Sequence, residues 1–572
     1  MLEKLKTKKI YLTLMIIVTL ALLSIGSYAL MLWASKENTE LTFRIGEVAE
    51  VIFSKGNDIN VSNLGPVLDY KKDGEFTPFS IINLSEDHLT MMATFNIESI
   101  SDNLKEESFK YVFLASEDNV DFNVISQGNF QNISNNDTIK LTSAHALKQK
   151  NYFKIIIYID GNMNNPVTMK NGSLSGYINV EVEKSSLLTL SNLNLTNNIQ
   201  TDTPNFSKSS YSTCDTSTDN NCESTVGIYS TQDDLGTSYY FRGDVTNNYV
   251  KFGKWSEDTP DIYIGYFLDN ISNSFSKYET LTECQNSSTY NKNCTLFSRA
   301  GKDMYWRIIR INGDGTVRMI YDGINGHENG EKYIIDSLVE RNNFNSNEDD
   351  NTYVGYMYGT PGATTYAETH SNKYDSNIKT YLEDEWYKEN LKDSQYEQYI
   401  ADAIYCNDRS IFRGTGIGQT DTDYVAYQRI YSSKPNQPIL TCQNSNDRFT
   451  LESTNFGIET NGKLDAPIGL ITADEIILAG SGGYSDNNEE LYLYNGYHNL
   501  TKTPFRFNYE GINLDYAAEM YILESNGSLR NYLVSQTPYV RPVINLDLDA
   551  LKYNNETSNG SMEHPFTVTG QQ

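Results

Sequence analysis

The chain has 572 residues, which corresponds to about three or four domains at roughly 100–200 residues each. It carries 45 Lys and Arg against 74 Asp and Glu, a formal net charge of −29, which argues against any role in binding a nucleic-acid backbone. Hydrophobic residues make up 39% of the chain and 42 residues are tyrosine, so the composition excludes a disordered protein and favours strand-rich structure.

The N-terminus combines a basic segment with a long apolar run. Four lysines lie within the first nine residues, and the apolar run covers residues 10–34. This run is long enough to cross a membrane as a helix, with the N-terminus inside. The alternative is a signal peptide that is cut after Ala29. In both cases residues 1–34 direct export, and the sequence predicts that residues 35–572 lie outside the cytoplasm, at the cell surface or secreted.

The six cysteines fit an exported protein. An even number of cysteines in such a chain predicts disulfide bonds, although sequence alone leaves their pairing open. No CxxC pair or neighbouring histidine supports a zinc site. Because the spacings are short, nearest neighbours are the favoured partners, which gives the pairs Cys214–Cys222, Cys284–Cys294 and Cys406–Cys442.

Residues 35–184 are predicted to be all β and to form a β-sandwich. Phe153, Ile155, Ile157 and Ile159 alternate with their neighbours, which is typical of a strand with at least one buried face. Further short strands and polar turns follow at regular spacing.

Residues 185–225 differ in composition. Ser, Thr and Asn dominate, and the apolar pattern lapses after Leu195. This segment is predicted to be a solvated linker.

Residues 226–568 are predicted to form a larger α+β module. Two stretches are typical of β-hairpins, residues 239–252 and residues 304–323. One helix is predicted to begin near Asp375 or Ser376, and residues 472–475 form the capping box of another. Residues 539–548 are predicted to be a late strand.

Two groups of residues are candidates for ligand binding. Asp160, Asn162 and Asn164 alternate after a strand, so their oxygens could hold Ca²⁺; a polar turn is the alternative, because the closing Glu of an EF-hand loop is missing. Trp255 and Trp386 could form part of a ligand-binding surface for sugars, with burial in the core as the alternative.

No catalytic motif is present. The six histidines are scattered, and the sequence contains neither HExxH nor GxSxG. Arg242-Gly243-Asp244 matches the tripeptide that integrins recognise, with a chance match in a hairpin as the alternative.

The N-terminal part resembles the camelysin/TasA family of exported β-sandwich proteins. The resemblance rests on GSYALMLWASKENTELTFRIG (residues 26–46) and on YFKIIIYIDGNMNNP and GSLSGYINVEVE within residues 152–183. It implies a leader removed by a dedicated signal peptidase, and self-assembly through the sandwich, since some members polymerise into surface fibres. A metallopeptidase label also attaches to the family, but this chain shows no zinc motif.

The C-terminal part resembles a domain repeated in surface proteins of low-GC Gram-positive bacteria. It also distantly resembles the C-type-lectin-like fold that is shared with formylglycine-generating (sulfatase-modifying) enzymes, which implies a lectin-like α+β module. The motifs that carry this resemblance are DDLGTSYYFRG (233–243), YWRIIRINGDGTVRMIYDG (305–323), IADAIYCNDRS (400–410), PIGLITADEIILAG (467–480) and YVRPVINL (539–546).

Together these observations predict a non-enzymatic bacterial surface protein for adhesion, ligand binding or surface-matrix assembly. Its expected partners are the membrane, through residues 10–34, and an extracellular glycan or protein. No cofactor is expected apart from Ca²⁺. The alternatives are an outer-surface enzyme, either a metallopeptidase or a formylglycine-generating-like oxidase, and a structural fibre subunit.

Overall fold

The chain is mainly β and divides into two compact units, residues 1–188 and residues 189–572. The predicted membrane segment lies almost entirely outside the described residues. None of the helices in the described ranges is long and apolar enough to cross a membrane. The computed structural model describes residues 29–31, 40–45, 49–54, 59–62, 64–84, 89–163, 172–211, 214, 222–267, 274–432, 436–453, 458–484, 486–510 and 515–568.

The first unit is built from two mainly antiparallel sheets. Its strands are β1 (Ala29–Met31), β2 (Glu40–Ile45), β3 (Ala49–Ser54), β4 (Ile59–Ser62), β5 (Pro66–Val67), β6 (Glu75–Asn83), β7 (Leu89–Ile100), β8 (Phe109–Ser116), β9 (Asn123–Asn129), β10 (Thr138–Leu147), β11 (Lys150–Asp160) and β12 (Ser173–Lys184). Within the described residues one sheet has the order β1-β12-β7-β10, with β4 also paired to β12. The other has the order β2-β3-β6-β11-β8-β9, with β5 also paired to β11.

The core of this unit lies between the two sheets, so the predicted sandwich is confirmed. Ile155 and Ile157 of β11 pack in one apolar cluster with Phe95 of β7, which belongs to the other sheet. The opposite face of β11 is buried as well, since Ile156 and Tyr158 pack in a second cluster. The middle of strand β11 is therefore covered on both faces, which explains the unbroken apolar run at residues 155–159.

The start of the predicted linker is folded. Residues Ser185–Asn192 form an α-helix, and Leu193 and Leu195 behind it are buried. Further along, β13 and β14 pair with each other. The prediction of a solvated linker over 185–225 is wrong for these residues, because the leucines that follow the last sandwich strand are removed from water. The boundary between the units falls after Leu188.

The second unit combines several sheets with short helices. Its strands are β13 (Ser209–Ser210), β14 (Cys222–Glu223), β15 (Gly227–Asp233), β16 (Gly236–Arg242), β17 (Tyr249–Lys254), β18 (Ile262–Tyr266), β19 (Phe275–Tyr278), β20 (Lys292–Phe297), β21 (Asp303–Ile311), β22 (Val317–Gly323), β23 (Met357–Tyr358), β24 (Tyr374–Asp375), β25 (Tyr405–Cys406), β26 (Ile411–Arg413), β27 (Thr422–Tyr424), β28 (Arg448–Phe449), β29 (Ile468–Gly469), β30 (Asn499–Glu510), β31 (Asp515–Leu523), β32 (Leu529–Leu533), β33 (Val543–Leu546), β34 (Leu551–Lys552) and β35 (Phe566–Val568).

The largest sheet of this unit has the order β29-β33-β22-β21-β17-β35-β34, and β16 joins it along β21 while pairing with β15. A second sheet has the order β26-β27-β30-β31-β32, and a third has the order β19-β18-β20. Strands β23 and β24 form a short separate ribbon.

The helices in the described ranges are short. The α-helices are Tyr70–Asp73, Ser185–Asn192, Leu281–Asn286, Tyr366–Thr369, Asn377–Thr380, Lys388–Asn390 and Ala473–Ala479. The 3₁₀ turns are Asp102–Leu104, Thr196–Asn198, Ile335–Ser337, Asn351–Val354, Glu397–Tyr399 and Ser445–Asp447. Two segments have π-helical geometry, Tyr381–Tyr387 and Tyr427–Ser432.

One of the two predicted hairpins is confirmed. Strands β21 and β22 pair antiparallel over residues 304–323, around the turn that contains Gly315. Residues 239–252 do not form a hairpin, so that prediction is wrong. Strand β16 pairs instead with β15, and both β16 and β17 pair with β21. The chain leaves β21 after Tyr240 and returns to it at Tyr249, and residues 243–248 connect β16 to β17.

Both predicted helix starts are confirmed. Ser376 caps the helix Asn377–Thr380, and its side chain accepts a hydrogen bond from the Lys379 amide. Thr472 and Glu475 form the predicted capping box of the helix Ala473–Ala479. The predicted late strand is β33.

The three disulfides connect the predicted pairs, Cys214–Cys222, Cys284–Cys294 and Cys406–Cys442. All six cysteines of the chain are therefore oxidised. Disulfides persist in oxidising compartments, so this pattern indicates an extracytoplasmic environment.

Candidate ligand-binding cleft

One cluster of charges in the second unit is structural. It surrounds a cavity of about 40 Å³, which has room for only a few water molecules. Each of its three arginines has at least one carboxylate beside it, at 2.6–3.0 Å between nitrogen and oxygen. These ion pairs are Arg310 with Asp233 and Glu475, Arg318 with Glu475, and Arg429 with Asp408 and Asp474.

A larger, open cleft of about 580 Å³ lies beside the β23–β24 ribbon. Tyr358 and Tyr374 stand opposite each other on the two strands, with their ring centroids 5.6 Å apart. On its other side the Tyr358 ring packs against Tyr353, with centroids 5.4 Å apart. The Tyr374 ring is 42% exposed and faces solvent. The cleft therefore presents one accessible aromatic ring that is supported from behind by two others.

The side chain of Lys379 organises the acidic groups of the cleft. Its ammonium lies 2.7 Å from Asp465 Oδ2, 3.1 Å from Glu383 Oε2 and 3.4 Å from Asp375 Oδ1. Burial alone would lower the pKa of Lys379, but the three carboxylates outweigh burial and raise it above its ordinary value. Lys379 is thus charged and buried. Its ion pairs hold the more exposed Asp375 and Asp465 in position at the surface of the cleft.

Glu383 lies behind the cleft in the helical segment Tyr381–Tyr387. Its Oε2 also accepts a hydrogen bond of 2.7 Å from the Asp465 amide. Burial raises the pKa of Glu383 to about 7, although Lys379 opposes the shift. A smaller cleft of about 210 Å³ is lined by Glu383 and Asp465. Asp465 therefore lines both clefts, and Glu383 holds its backbone amide.

Lys373 and Lys463 complete the charges of the larger cleft. Lys373 precedes β24, and its ammonium lies 4.9 Å from the centre of the Tyr374 ring. Lys463 follows Gly462, which has a φ of 56° in the opposite loop. Both lysines are exposed. The cleft thus combines an aromatic face, two carboxylates bound by Lys379 and two exposed ammonium groups.

The predicted ligand surface formed by Trp255 and Trp386 is wrong, because both rings are buried. Trp255 is 6% exposed and Trp386 is 2% exposed, and their rings meet edge to face at 6.0 Å. Trp306 and Tyr321 pack against them, and Trp255 Nε1 donates a 2.9 Å hydrogen bond to Tyr321 Oη. The tryptophans therefore contribute to the core rather than to a binding surface.

The integrin-like tripeptide Arg242-Gly243-Asp244 is also not accessible to a partner through its arginine. Arg242 is fully buried, and its guanidinium donates hydrogen bonds to the carbonyl oxygens of Ile477 and Leu478. Adhesion through this arginine is excluded by its burial.

The predicted calcium ligands are only partly described. Asp160 Oδ2 lies 2.9 Å from Lys110 Nζ, and Asp160 Oδ1 accepts hydrogen bonds from the backbone and side-chain nitrogens of Asn162. The hydrogen bond from Lys110 is the main cause that lowers the pKa of Asp160. Asn164 lies outside the described residues. The alternative prediction, a polar turn, accounts for the contacts of Asp160 and Asn162.

A search of the described ranges finds no cluster of three or more His, Cys, Asp or Glu side chains that could hold a metal ion.

The residues of the cleft were not singled out from the sequence. Tyr374, Lys379 and Lys463 come from three separate segments, and no short motif joins them. The sequence did contain one signal for this cleft. YMY (356–358) and KYD (373–375) are two short tyrosine-containing stretches that flank polar residues before a predicted helix, and they carry the tyrosines of the ribbon. Tryptophan drew attention instead, although this chain has 42 tyrosines and only 4 tryptophans.

Comparisons with known proteins give limited information. No family model matches the chain, and no curated protein matches it. Among solved structures, the C-terminal domain of a chitobiase from Bacteroides fragilis is 19% identical over 19% of this chain and 64% of that domain, with a TM-score of 0.13. The chain thus spans less than two thirds of the chitobiase domain.

Two further structures match at the same TM-score of 0.13. CpGH89CBM32-5 from Clostridium perfringens, in complex with GalNAc-β-1,3-galactose, is 18% identical over 22% of this chain and 94% of that chain. The xylan-binding module CBM15 is 12% identical over 26% of this chain and 96% of that module. At these TM-scores the likenesses do not bear on the ligand of this chain.

Proposed function

We propose that the chain is a non-enzymatic extracellular binding protein whose second unit binds a carbohydrate in the cleft beside Tyr374. The observation that carries the proposal is the combination of an exposed tyrosine ring with carboxylates that Lys379 holds in place. The apolar face of a sugar ring packs on an aromatic face, and its hydroxyls donate to carboxylate oxygens.

The dimensions of the cleft support this proposal. Its volume of about 580 Å³ falls in the range of roughly 300–1,000 Å³ that small-ligand sites occupy. Because Tyr358 and Tyr353 support the Tyr374 ring, stacking needs little reordering of the side chain. The three disulfides fit an extracellular place of action.

A glycan array with the purified full chain tests the proposal. We expect a defined set of glycans to bind, and we expect Tyr374→Ala to weaken their binding at least tenfold. Tyr431→Ala is the matched control, since Tyr431 is another exposed tyrosine of the same unit, with 39% exposure, but lies away from the cleft. Absence of glycan binding, or equal binding by wild type and Tyr374→Ala, would contradict the proposal.

The other functions expected from the sequence stay predictions. These are adhesion to a protein ligand, fibre assembly through the sandwich, membrane anchoring through residues 10–34, and the enzymatic alternatives.

A further inference from the structure

The charges at the cleft differ from the charge of the whole chain. The lining residues include three lysines, 373, 379 and 463, and two aspartates, 375 and 465, and Glu383 lies 3.1 Å from Lys379, so ammonium and carboxylate groups balance there. The whole chain has a formal net charge of −29. A cleft with balanced charge in so acidic a protein accepts a negatively charged ligand more readily than the rest of the surface does.

The lysines of the cleft have two different roles. Lys379 is 2% exposed at its side chain, and its three N–H groups face three carboxylates, so it has none left for a ligand. In the part of the chain that the structure describes, Lys373 and Lys463 have no carboxylate within ion-pair distance. Their ammonium groups are therefore the ones that can bind an anion.

The position of Lys373 relates the anion to the aromatic ring. Its ammonium lies 4.9 Å from the centre of the Tyr374 ring, while Asp375 follows Tyr374 directly in β24. Lys463 and Asp465 lie in the loop that forms the other wall. Each wall of the cleft thus carries one lysine and one aspartate.

From this arrangement we infer that the ligand is an anionic sugar, an inference that rests on the proposed carbohydrate-binding function. Its ring stacks on Tyr374, its carboxylate or sulfate binds Lys373 and Lys463, and its hydroxyls donate to Asp375 and Asp465. A lysine ammonium binds carboxylate and sulfate alike as a point charge, so the two substituents share one chemistry at this site.

Calorimetric titration of the full chain tests the inference with three probes of similar length: galactotetraose, tetragalacturonate and a sulfated galactan tetrasaccharide. We expect at least one anionic probe to bind at least tenfold more tightly than the neutral probe at low salt, with the preference declining as salt is added. The two anionic probes separate carboxylate from sulfate as the preferred group.

Variants locate the preference. Lys373→Gln with Lys463→Gln should abolish the preference for the anionic probe, while Lys302→Gln with Lys552→Gln, two exposed lysines elsewhere in the unit, should preserve it. Both sets change exposed side chains only, and equal melting temperatures verify the folds. The single variant Lys373→Glu gives a second measurement and should reverse the preference.

The possible failures are distinct. Equal affinity for neutral and anionic probes, with loss of both in Tyr374→Ala, would overturn the inference and leave the proposed function intact. An anionic preference that survives the paired lysine variant would overturn the assignment to Lys373 and Lys463. If neither the array nor the titrations show a bound sugar, the proposed function fails and the inference fails with it.

Discussion

The amine of Lys502 lies 3.5 Å from the centre of the Tyr356 ring in the interior of the second unit. The rings of Phe449 and Tyr405 also face this amine, at 4.6 and 5.3 Å. Within the described residues the amine has no hydrogen-bond partner, and the side chain is fully buried. Burial lowers the pKa of Lys502 well below its ordinary value, so the fold stores a desolvated amine among aromatic rings.

Replacing Lys502 with Met should stabilise the protein. The substitution keeps the apolar stem and removes a buried polar group without a hydrogen bond, which costs about 1–3 kcal/mol. The pKa of Lys502 is lower in the folded state than in the unfolded state, so the unfolded state binds the extra proton and wild-type stability rises with pH. The gain in Lys502→Met should therefore shrink toward the ordinary lysine pKa of about 10.4.

Guanidinium unfolding of wild type and Lys502→Met between pH 6 and about 10 measures this gain. Lys302→Met, at an exposed lysine, is the control and should change the free energy of unfolding little. A variant that is less stable than wild type at pH 7 would show that the amine is paired in solution.

His327 predicts a pH dependence of opposite sign. Its Nε2 lies 2.9 Å from Asp336 Oδ1 and its Nδ1 lies 3.1 Å from Glu331 Oε2. Burial alone would lower the pKa of His327, but the hydrogen bond to Asp336 and the charges of Asp336, Asp322 and Glu331 raise it to about 9. The folded state therefore binds the proton more tightly. This contribution to stability is complete below the ordinary pKa of about 6.5 and disappears as the pH rises through about 9.

At pH 6 the free energy of unfolding of His327→Gln should be on the order of 2–3 kcal/mol below that of wild type, since each pKa unit corresponds to about 1.4 kcal/mol. Above pH ~9 the two proteins should differ little, because the histidine no longer contributes. Thermal unfolding across this pH window measures the effect, with the exposed His564→Gln as control. Parallel stability curves for wild type and His327→Gln would contradict the assignment.

Two residues of the capping box, Thr472 and Glu475, contribute to stability in different ways. Thr472 Oγ1 accepts a hydrogen bond from the Glu475 amide, and Glu475 Oε2 accepts one from the Thr472 amide. Burial favours the neutral form of Glu475, but Arg318 and Arg310 hold its pKa below the ordinary value. Thr472→Ala should cost about 1 kcal/mol, whereas Glu475→Gln should cost about 3–5 kcal/mol because it leaves buried guanidinium groups poorly paired.

Denaturant unfolding of both variants gives these two values, and Thr472→Ser is the control because it keeps the capping hydroxyl. Equal losses in Thr472→Ala and Glu475→Gln would mean that the ion pairs contribute nothing beyond the cap.

The disulfide Cys406–Cys442 closes a loop with a sequence separation of 36. Replacing both cysteines with Ser should lower the free energy of unfolding by about 2–5 kcal/mol, because the unfolded chain regains the freedom of that loop. The pair Cys214–Cys222, with a separation of 8, should contribute less when it is replaced in the same way. Mass spectrometry of non-reduced peptides establishes the bond, and free thiols at both positions would contradict it.

Features with a local cause were predictable from the sequence. The hairpin of β21 and β22 follows from two strand patterns on either side of a turn in which Gly315 has a φ of 88°. The helix that begins after Thr472 follows from its capping box, and the disulfides follow from short spacings between cysteines. In each case the interacting residues lie close together in the chain.

Features that depend on distant partners were not predictable in this way. Residues 239–252 have a hairpin pattern, but β16 and β17 pair with β21 because that strand offers one continuous edge to both. Trp255 and Trp386 are more than a hundred residues apart in the chain, and only the fold brings their rings together. Sequence patterns report the burial of a residue more readily than the neighbour that covers it.

The cleft shows the same limit for function. Tyr374 and Lys463 come from opposite walls, and the buried Lys379 that fixes Asp465 has the appearance of a surface lysine in the sequence. The composition predicted an acidic protein, but it gave no sign that Lys373 and Lys463 line one cleft with no carboxylate partner among the described residues.

The pairing of β17 with β35 has a consequence for how the second unit is made. Val250 lies beside Phe566, more than 300 residues later in the chain, and the two strands run parallel. A polypeptide that emerges from a ribosome or a translocation channel with its N-terminus first must therefore hold β17 without one neighbour until those later residues have been delivered. Long-range pairing of this kind is slow and leaves strand edges open to other chains. During synthesis and export, the unpaired edge of β17 must therefore be kept from pairing with strands of other nascent chains.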